Sequence, residues 1–194
     1  LSKDQLKHIF GSILRIQSCK VDNNEDINIY ENYCSKLKTR FLKYNYSKFV
    51  NSDNIYEDLY NKLQEYEKNN LGQIKVIHGD PVFTNILINE FGKIKFIDMR
   101  GKLGNKLTIY GDWLYDWAKL YQSLIGYDEI LEDKYVNSDY KNILINYFVE
   151  LFVNRFSEND FDNLKLITKS LLFSLIPLHN NEKCIKFYEL LIKI

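Results

Sequence analysis

The chain has 194 residues, 45% of them hydrophobic and 27% charged, a balance that suits one folded domain with a single core. Its 26 basic and 26 acidic residues cancel, so no global field draws it to nucleic acid or to an anionic membrane, and neither partner is expected. No apolar run approaches the about 18 residues that cross a bilayer, no signal peptide is visible, and Cys19, Cys34 and Cys184 show neither a disulfide framework nor a metal spacing, which points to a reducing cytoplasm.

Leu1 opens the chain inside what reads as a helix start, so the sequence is expected to be part of a longer protein. Ser2 and Gln5 form a capping-box pattern, followed by an apolar face of Leu6, Ile9, Phe10, Ile13 and Ile16. A second helix is predicted from about Ile27 to Tyr46, with Tyr30, Tyr33, Leu37 and Phe41 in register. Asp53 is read as the cap of a third, which carries Tyr56, Leu59, Tyr60, Leu63 and Tyr66 on one side and ends in a solvated run from Glu65 to Asn70.

The period then changes. Six of the eight glycines fall between Gly72 and Gly111, so turns concentrate there. Ile74 and Val76 begin a short strand. Ile86–Ile88 and Ile94–Ile97 flank a hairpin loop over 89–93. The segment from Arg100 to Lys106 reads as a polar loop. A helix starts after Asp112, others cover about 139–156 and 163–176, Pro177 breaks the chain, and a last helix covers about 182–193.

The chemistry-bearing residues sit in the glycine-rich segment. Val76-Ile77 runs into His78-Gly79-Asp80, Asn85 follows, and Asp98 ends the second arm of the hairpin. A carboxylate, an Asn and a second carboxylate in that order are what phosphoryl transfer from a nucleotide uses. The first orients the attacking hydroxyl and accepts its proton; the other two hold Mg²⁺ against the phosphates. The Asp80-x4-Asn85 spacing is that of a kinase catalytic loop.

Together with Phe96-Ile97-Asp98 and Gly111-Asp112-x3-Asp116, these residues resemble the aminoglycoside phosphotransferase and choline kinase superfamily, whose members share the protein-kinase fold. The resemblance covers about residues 74 to 121, and its wording is most similar to a bacterial subgroup associated with surface-polysaccharide genes. It implies an α+β, mainly α fold: the helical C-lobe of a kinase-like protein, with a small β-hairpin carrying the site and the N-lobe absent from these residues. No G-x-G-x-x-G or G-x-x-x-x-G-K-[ST] loop occurs. It implies Asp80 as catalytic base, Asn85 and Asp98 as ligands of Mg²⁺ and its nucleotide (ATP or GTP), His78 as a loop-fixing residue, and Asp116 as an acceptor of backbone N–H groups from the catalytic loop. The partners implied are the nucleotide, a small alcohol such as a sugar, amino sugar or choline-like compound, and the missing lobe or another upstream domain. A protein kinase fits less well, because Val82 stands where those enzymes usually have Lys and no Ala-Pro-Glu segment follows.

Other residues admit two readings. Asp112 is most simply a helix N-cap. Trp113 and Trp117 suit a core, or the wall of a pocket for a cation. Arg100 suits an anionic substrate group or a surface salt bridge. Phe83 and Thr84 suit an acceptor pocket or packing. His8 and His179 stand alone. The competing functional reading is a non-catalytic binding or regulatory module on the same lobe, or a part of a fused polysaccharide-biosynthesis enzyme.

Overall fold

A computed structural model describes residues 1–20, 26–179 and 181–194. Helix α1 (Lys3–Gln17) starts on the expected capping box: the Gln5 N–H donates to Ser2 Oγ, and the Ser2 N–H donates to Gln5 Oε1 at 2.7 Å. Its face Leu6, Ile9, Phe10 and Ile13 is buried. Helix α2 is shorter than the sequence suggests, Cys34–Lys43. Residues 28–33 form turns instead, the Asn28 side chain accepting the Tyr30 N–H at 3.1 Å. Tertiary demands on both ends explain this. The Tyr33 hydroxyl is drawn to Asp112, and the Tyr46 hydroxyl donates to the Phe173 carbonyl at 3.0 Å.

Helix α3 (Ser52–Lys68) is capped at Asn51 in a left-handed conformation rather than by Asp53, which lies in the first turn where a carboxylate suits the helix dipole. Strand β1 (Ile74–Val76) follows, then the hairpin of β2 (Ile86–Ile88) and β3 (Ile94–Phe96), with Ile86 opposite Phe96. The supposed polar loop contains a further hairpin, β4 (Lys102–Leu103) and β5 (Lys106–Leu107), closed by Gly104-Asn105 with Gly104 at φ +57°. A Gly-Asn pair between two Lys-Leu pairs is a hairpin signal that charge had masked. Strand β6 (Tyr110–Asp112) returns antiparallel to β1, placing Asp112 opposite Ile74.

Helix α4 (Trp113–Ile125) continues directly from β6 and is buried along nearly all its length. The short α5 (Tyr127–Leu131) escaped the sequence reading. Helices α6 (Ser138–Arg155), α7 (Glu158–Leu175) and α8 (Asn181–Lys193) complete the order, α7 starting earlier than expected because Ser157 caps the Asp160 N–H at 3.0 Å. The fold is thus α+β and mainly helical, with small antiparallel sheets. Among the described residues no helix is long and apolar enough to cross a membrane.

The tryptophans belong to the core, not to a substrate pocket. Trp117 is fully buried, its ring 4.4 Å from that of Phe10, and Trp113 lies 4.7 Å from Phe156. Gln17 ties both to α1, donating to the Trp113 carbonyl at 2.7 Å and accepting from Trp117 Nε1 at 3.2 Å. Asp112 occupies the N-cap position of α4, yet its side chain is turned to other partners. Oδ2 accepts from the Tyr33 and Tyr66 hydroxyls at 2.6 and 2.8 Å, and Oδ1 from the Gln73 N–H at 3.1 Å. Burial raises its carboxyl above the usual range, and these donors oppose that rise.

One buried carboxylate therefore joins the start of α2, the end of α3, the lead-in to β1 and the start of α4. Tyr33→Phe and Tyr66→Phe are each expected to cost about 1–3 kcal/mol, because each removes a donor from a buried acceptor. The double variant should be non-additive, since both donate to one oxygen. Urea unfolding checks this; losses near zero for both single variants would show that the tyrosines do not hold the carboxylate.

Candidate active site

The antiparallel pairing of β1 with β6 carries the residues after β1 across the start of α4. The Ile77 N–H still donates to the Ile109 carbonyl at 2.9 Å, and the chain then leaves the sheet as His78-Gly79-Asp80. Asp116, fully buried in the first turn of α4, meets it. Its Oδ2 accepts the His78 N–H at 2.8 Å and its Oδ1 the Gly79 N–H at 2.7 Å. Burial pushes the Asp116 carboxyl up to about 7; the two N–H bonds oppose that rise, and nearby Asp80 adds to it.

Gly79 sits at φ +84°, and a Cβ there would lie 2.7 Å from the Cβ of Arg100. Its backbone conformation and that close approach both demand glycine. His78 is buried, and burial holds its imidazole below the usual range. Its Nδ1 accepts the Asp80 N–H at 3.3 Å, so the neutral ring carries its proton on Nε2. The side chain fixes the turn and is not placed as an acid.

Beyond Asp80 the chain makes a 3₁₀ turn, Phe83–Asn85. The Phe83 N–H donates to Ser123 Oγ at 3.2 Å, another tie to α4. Asn85 Nδ2 donates to the Asp80 carbonyl at 3.0 Å, which leaves the amide oxygen for another partner. The Asn85 carbonyl accepts the Ile97 N–H at 3.0 Å across the hairpin, so Asp98 follows immediately beside Asn85. Asp98 is exposed in a left-handed conformation, φ +55°, and its carboxylate has no hydrogen-bond or ion-pair partner among the described residues.

Three residues beyond Asp116 on α4, Lys119 places Nζ 3.0 Å from Asp80 Oδ1. Asp80 keeps 39% of its side chain exposed although Oδ1 is buried, so Oδ2 is the accessible oxygen. The sequence analysis did not single out Lys119; its signal was the i, i+3 relation to Asp116 on the helix face that meets the turn. Arg100 makes no surface salt bridge. Its guanidinium donates to the Tyr115 hydroxyl and lies 5.5 Å from the centroid of that ring.

The arrangement thus brings together Asp80, Asn85, Asp98, His78 and Asp116, and adds Lys119 and Tyr115. Among the described residues no group of three or more His, Cys, Asp or Glu side chains gathers as a metal cage, His8 and His179 included. An amide oxygen and a carboxylate from neighbouring backbone positions are ligand types that suit Mg²⁺ when phosphate oxygens and water complete its shell. No family model, no curated protein and no solved structure matches the chain.

The raised carboxyl of Asp116 sets a pH dependence. In the unfolded chain it titrates near 4, in the folded chain near 7. Its contribution to stability is complete below about pH 4, falls as pH rises to about 7, and is level above. Asp116→Asn, which does not titrate, should therefore gain on the wild type across that window. Urea midpoints for both proteins from pH 4.5 to 8 test this; a difference constant with pH would contradict it.

Proposed function

We propose that the protein is a phosphotransferase that moves the γ-phosphoryl group of ATP or GTP to the hydroxyl of a small molecule, on a kinase-like helical lobe. The observation that carries this reading is the catalytic turn itself. Asp80 stands on a loop clamped from below by Asp116, and Asn85 holds the Asp80 carbonyl while lying beside Asp98 at the hairpin's end. The order of these residues and their resemblance to the aminoglycoside phosphotransferase and choline kinase superfamily support the same reading.

In this mechanism Asp80 Oδ2 accepts the proton of the acceptor hydroxyl. A bond forms from that oxygen to the γ-phosphorus, the bond from the γ-phosphorus to the bridging oxygen breaks, and a nucleoside diphosphate leaves. Lys119 holds Oδ1, so Asp80 presents its other oxygen in a fixed direction. The Asn85 amide oxygen and the Asp98 carboxylate would hold Mg²⁺, which when bound neutralises charge on the phosphates. His78 and Asp116 touch no substrate; they keep the loop from moving.

In a protein that includes the missing lobe or upstream domain, without which these residues are expected to turn over little, Asp80→Asn should lower kcat by roughly 10²–10⁴ without unfolding it, since the change is nearly isosteric. Near-wild-type turnover with Mg-ATP or Mg-GTP would remove Asp80 from the base role. Asp98→Ala should weaken the Mg²⁺ dependence of nucleotide binding more than Asn85→Ala does, because it removes a charge. Nucleotide affinity measured across a Mg²⁺ titration decides this, and superimposable curves for the wild type and both variants would exclude the metal role.

A further inference from the structure

Asp80 also borders an open cavity of about 290 Å³ lined by α2, α4, Arg100, the end of α7 and the turn beyond it. Four cations line it: Lys36 and Arg40 from α2, Lys119 from α4, and Arg100. Asp80 is the one carboxylate on its wall, and it is held by Lys119. Lys36, Arg40 and Arg100 have no carboxylate partner among the described residues. Asn85 and Asp98 do not line this space.

Such a cluster is costly in the absence of an anion. Lys36 and Arg40 are one helical turn apart, a spacing at which like charges repel. The neighbouring Tyr115 favours the charge on Lys36, yet burial and repulsion from Arg100, Lys119 and Arg40 together hold its ammonium below the usual range. Burial alone would raise the Tyr115 hydroxyl, but Lys36, Lys119 and Arg100 outweigh it and bring it below the usual range. Leu171 and Leu175 of α7 form an apolar wall on one side, against which charge pairing is stronger than in open water. All this occurs in a chain whose net charge is zero.

We infer that the acceptor bears an anionic group, a phosphate ester or a carboxylate, seated on Lys36, Arg40 and Arg100 with its hydroxyl at Asp80. Its role as acceptor rests on the phosphotransferase reading; the anion site does not. A guanidinium grips a phosphate or carboxylate with two parallel hydrogen bonds, and Arg40 and Arg100 offer two such groups. The same cations disfavour choline-like and amino-sugar acceptors, which would bring a further positive charge among them.

Isothermal titration with glycerol, glycerol 3-phosphate, glycerate and choline, without nucleotide, tests the inference on the wild type, on Lys36→Gln/Arg40→Gln and on Arg40→Lys. At least one of the two anionic probes should bind about tenfold or more tightly than glycerol and choline, and added salt should weaken it. The double variant should lose the preference without any fall in melting temperature, and Arg40→Lys should keep only part of it, since the charge remains while the bidentate grip is lost. Equal affinity for charged and neutral probes, no anion binding, or a preference for choline overturns the inference. So does an anion preference that the double variant leaves intact, which would put the anion on the nucleotide side of Asp80. Anion binding without any turnover of Mg-ATP or Mg-GTP by a protein that includes the missing lobe or upstream domain would sink the phosphotransferase reading and leave the site standing. Turnover confined to neutral or cationic alcohols would do the reverse.

Discussion

The carboxylate of Asp116 is the constraint on which the site depends. A turn that leaves a sheet exposes backbone N–H groups, and those of His78 and Gly79 are buried here with no strand partner. A buried donor without an acceptor costs about 1–3 kcal/mol. One side chain of α4 satisfies both, at 2.8 and 2.7 Å, and so converts an irregular segment into a fixed one. The arrangement keeps a carboxyl group under α4's first turn at the expense of its own ionisation, since burial raises it to about 7. The placement of Asp80, two peptides further on, follows from that clamp.

A second buried carboxylate, Asp112, does for the scaffold what Asp116 does for the turn. It gathers Tyr33, Tyr66 and the Gln73 backbone, three segments far apart in the chain, onto the junction of β6 and α4. Because β6 pairs with β1, the same junction sets where the turn after β1 arrives. The two aspartates of Gly111-Asp112-x3-Asp116 are thus one device. The first fixes the helix to its surroundings, and the second fixes the turn to the helix. Lys119, a further turn along, uses the same helix face to reach Asp80.

Charge is distributed unevenly at this end of the molecule. Overall composition is neutral, with 26 cations and 26 anions. Around the cavity beside Asp80, however, four cations meet one carboxylate. Asp98, exposed and without a hydrogen-bond or ion-pair partner among the described residues, does not line that cavity.

Local physics made much of the fold readable. The 3.6-residue period of Leu6, Ile9, Phe10 and Ile13 and the Ser2–Gln5 box specify α1 because both signals lie within a few residues. The β2–β3 hairpin is legible for the same reason, as are the order and spacing of Asp80, Asn85 and Asp98. What the sequence left undecided depends on partners remote in the chain. Residues 28–33 carry helical periodicity, but Tyr33 reaches Asp112, 79 residues away, and the helix begins only after it. Trp113 and Trp117 at i, i+4 suit a core more often than a pocket wall, and Phe10, Phe152 and Phe156, packed around them, decide for the core. Arg100 already suited an anionic group or a surface salt bridge, but nothing local joins it to Lys36, Arg40 and Lys119, since a side chain's sign is written in the sequence while its neighbours' signs are not. The chain by itself determined which residues can do chemistry; the tertiary structure decided which of them share a cavity, because Coulomb and hydrogen-bond energies depend on distances that only folding sets.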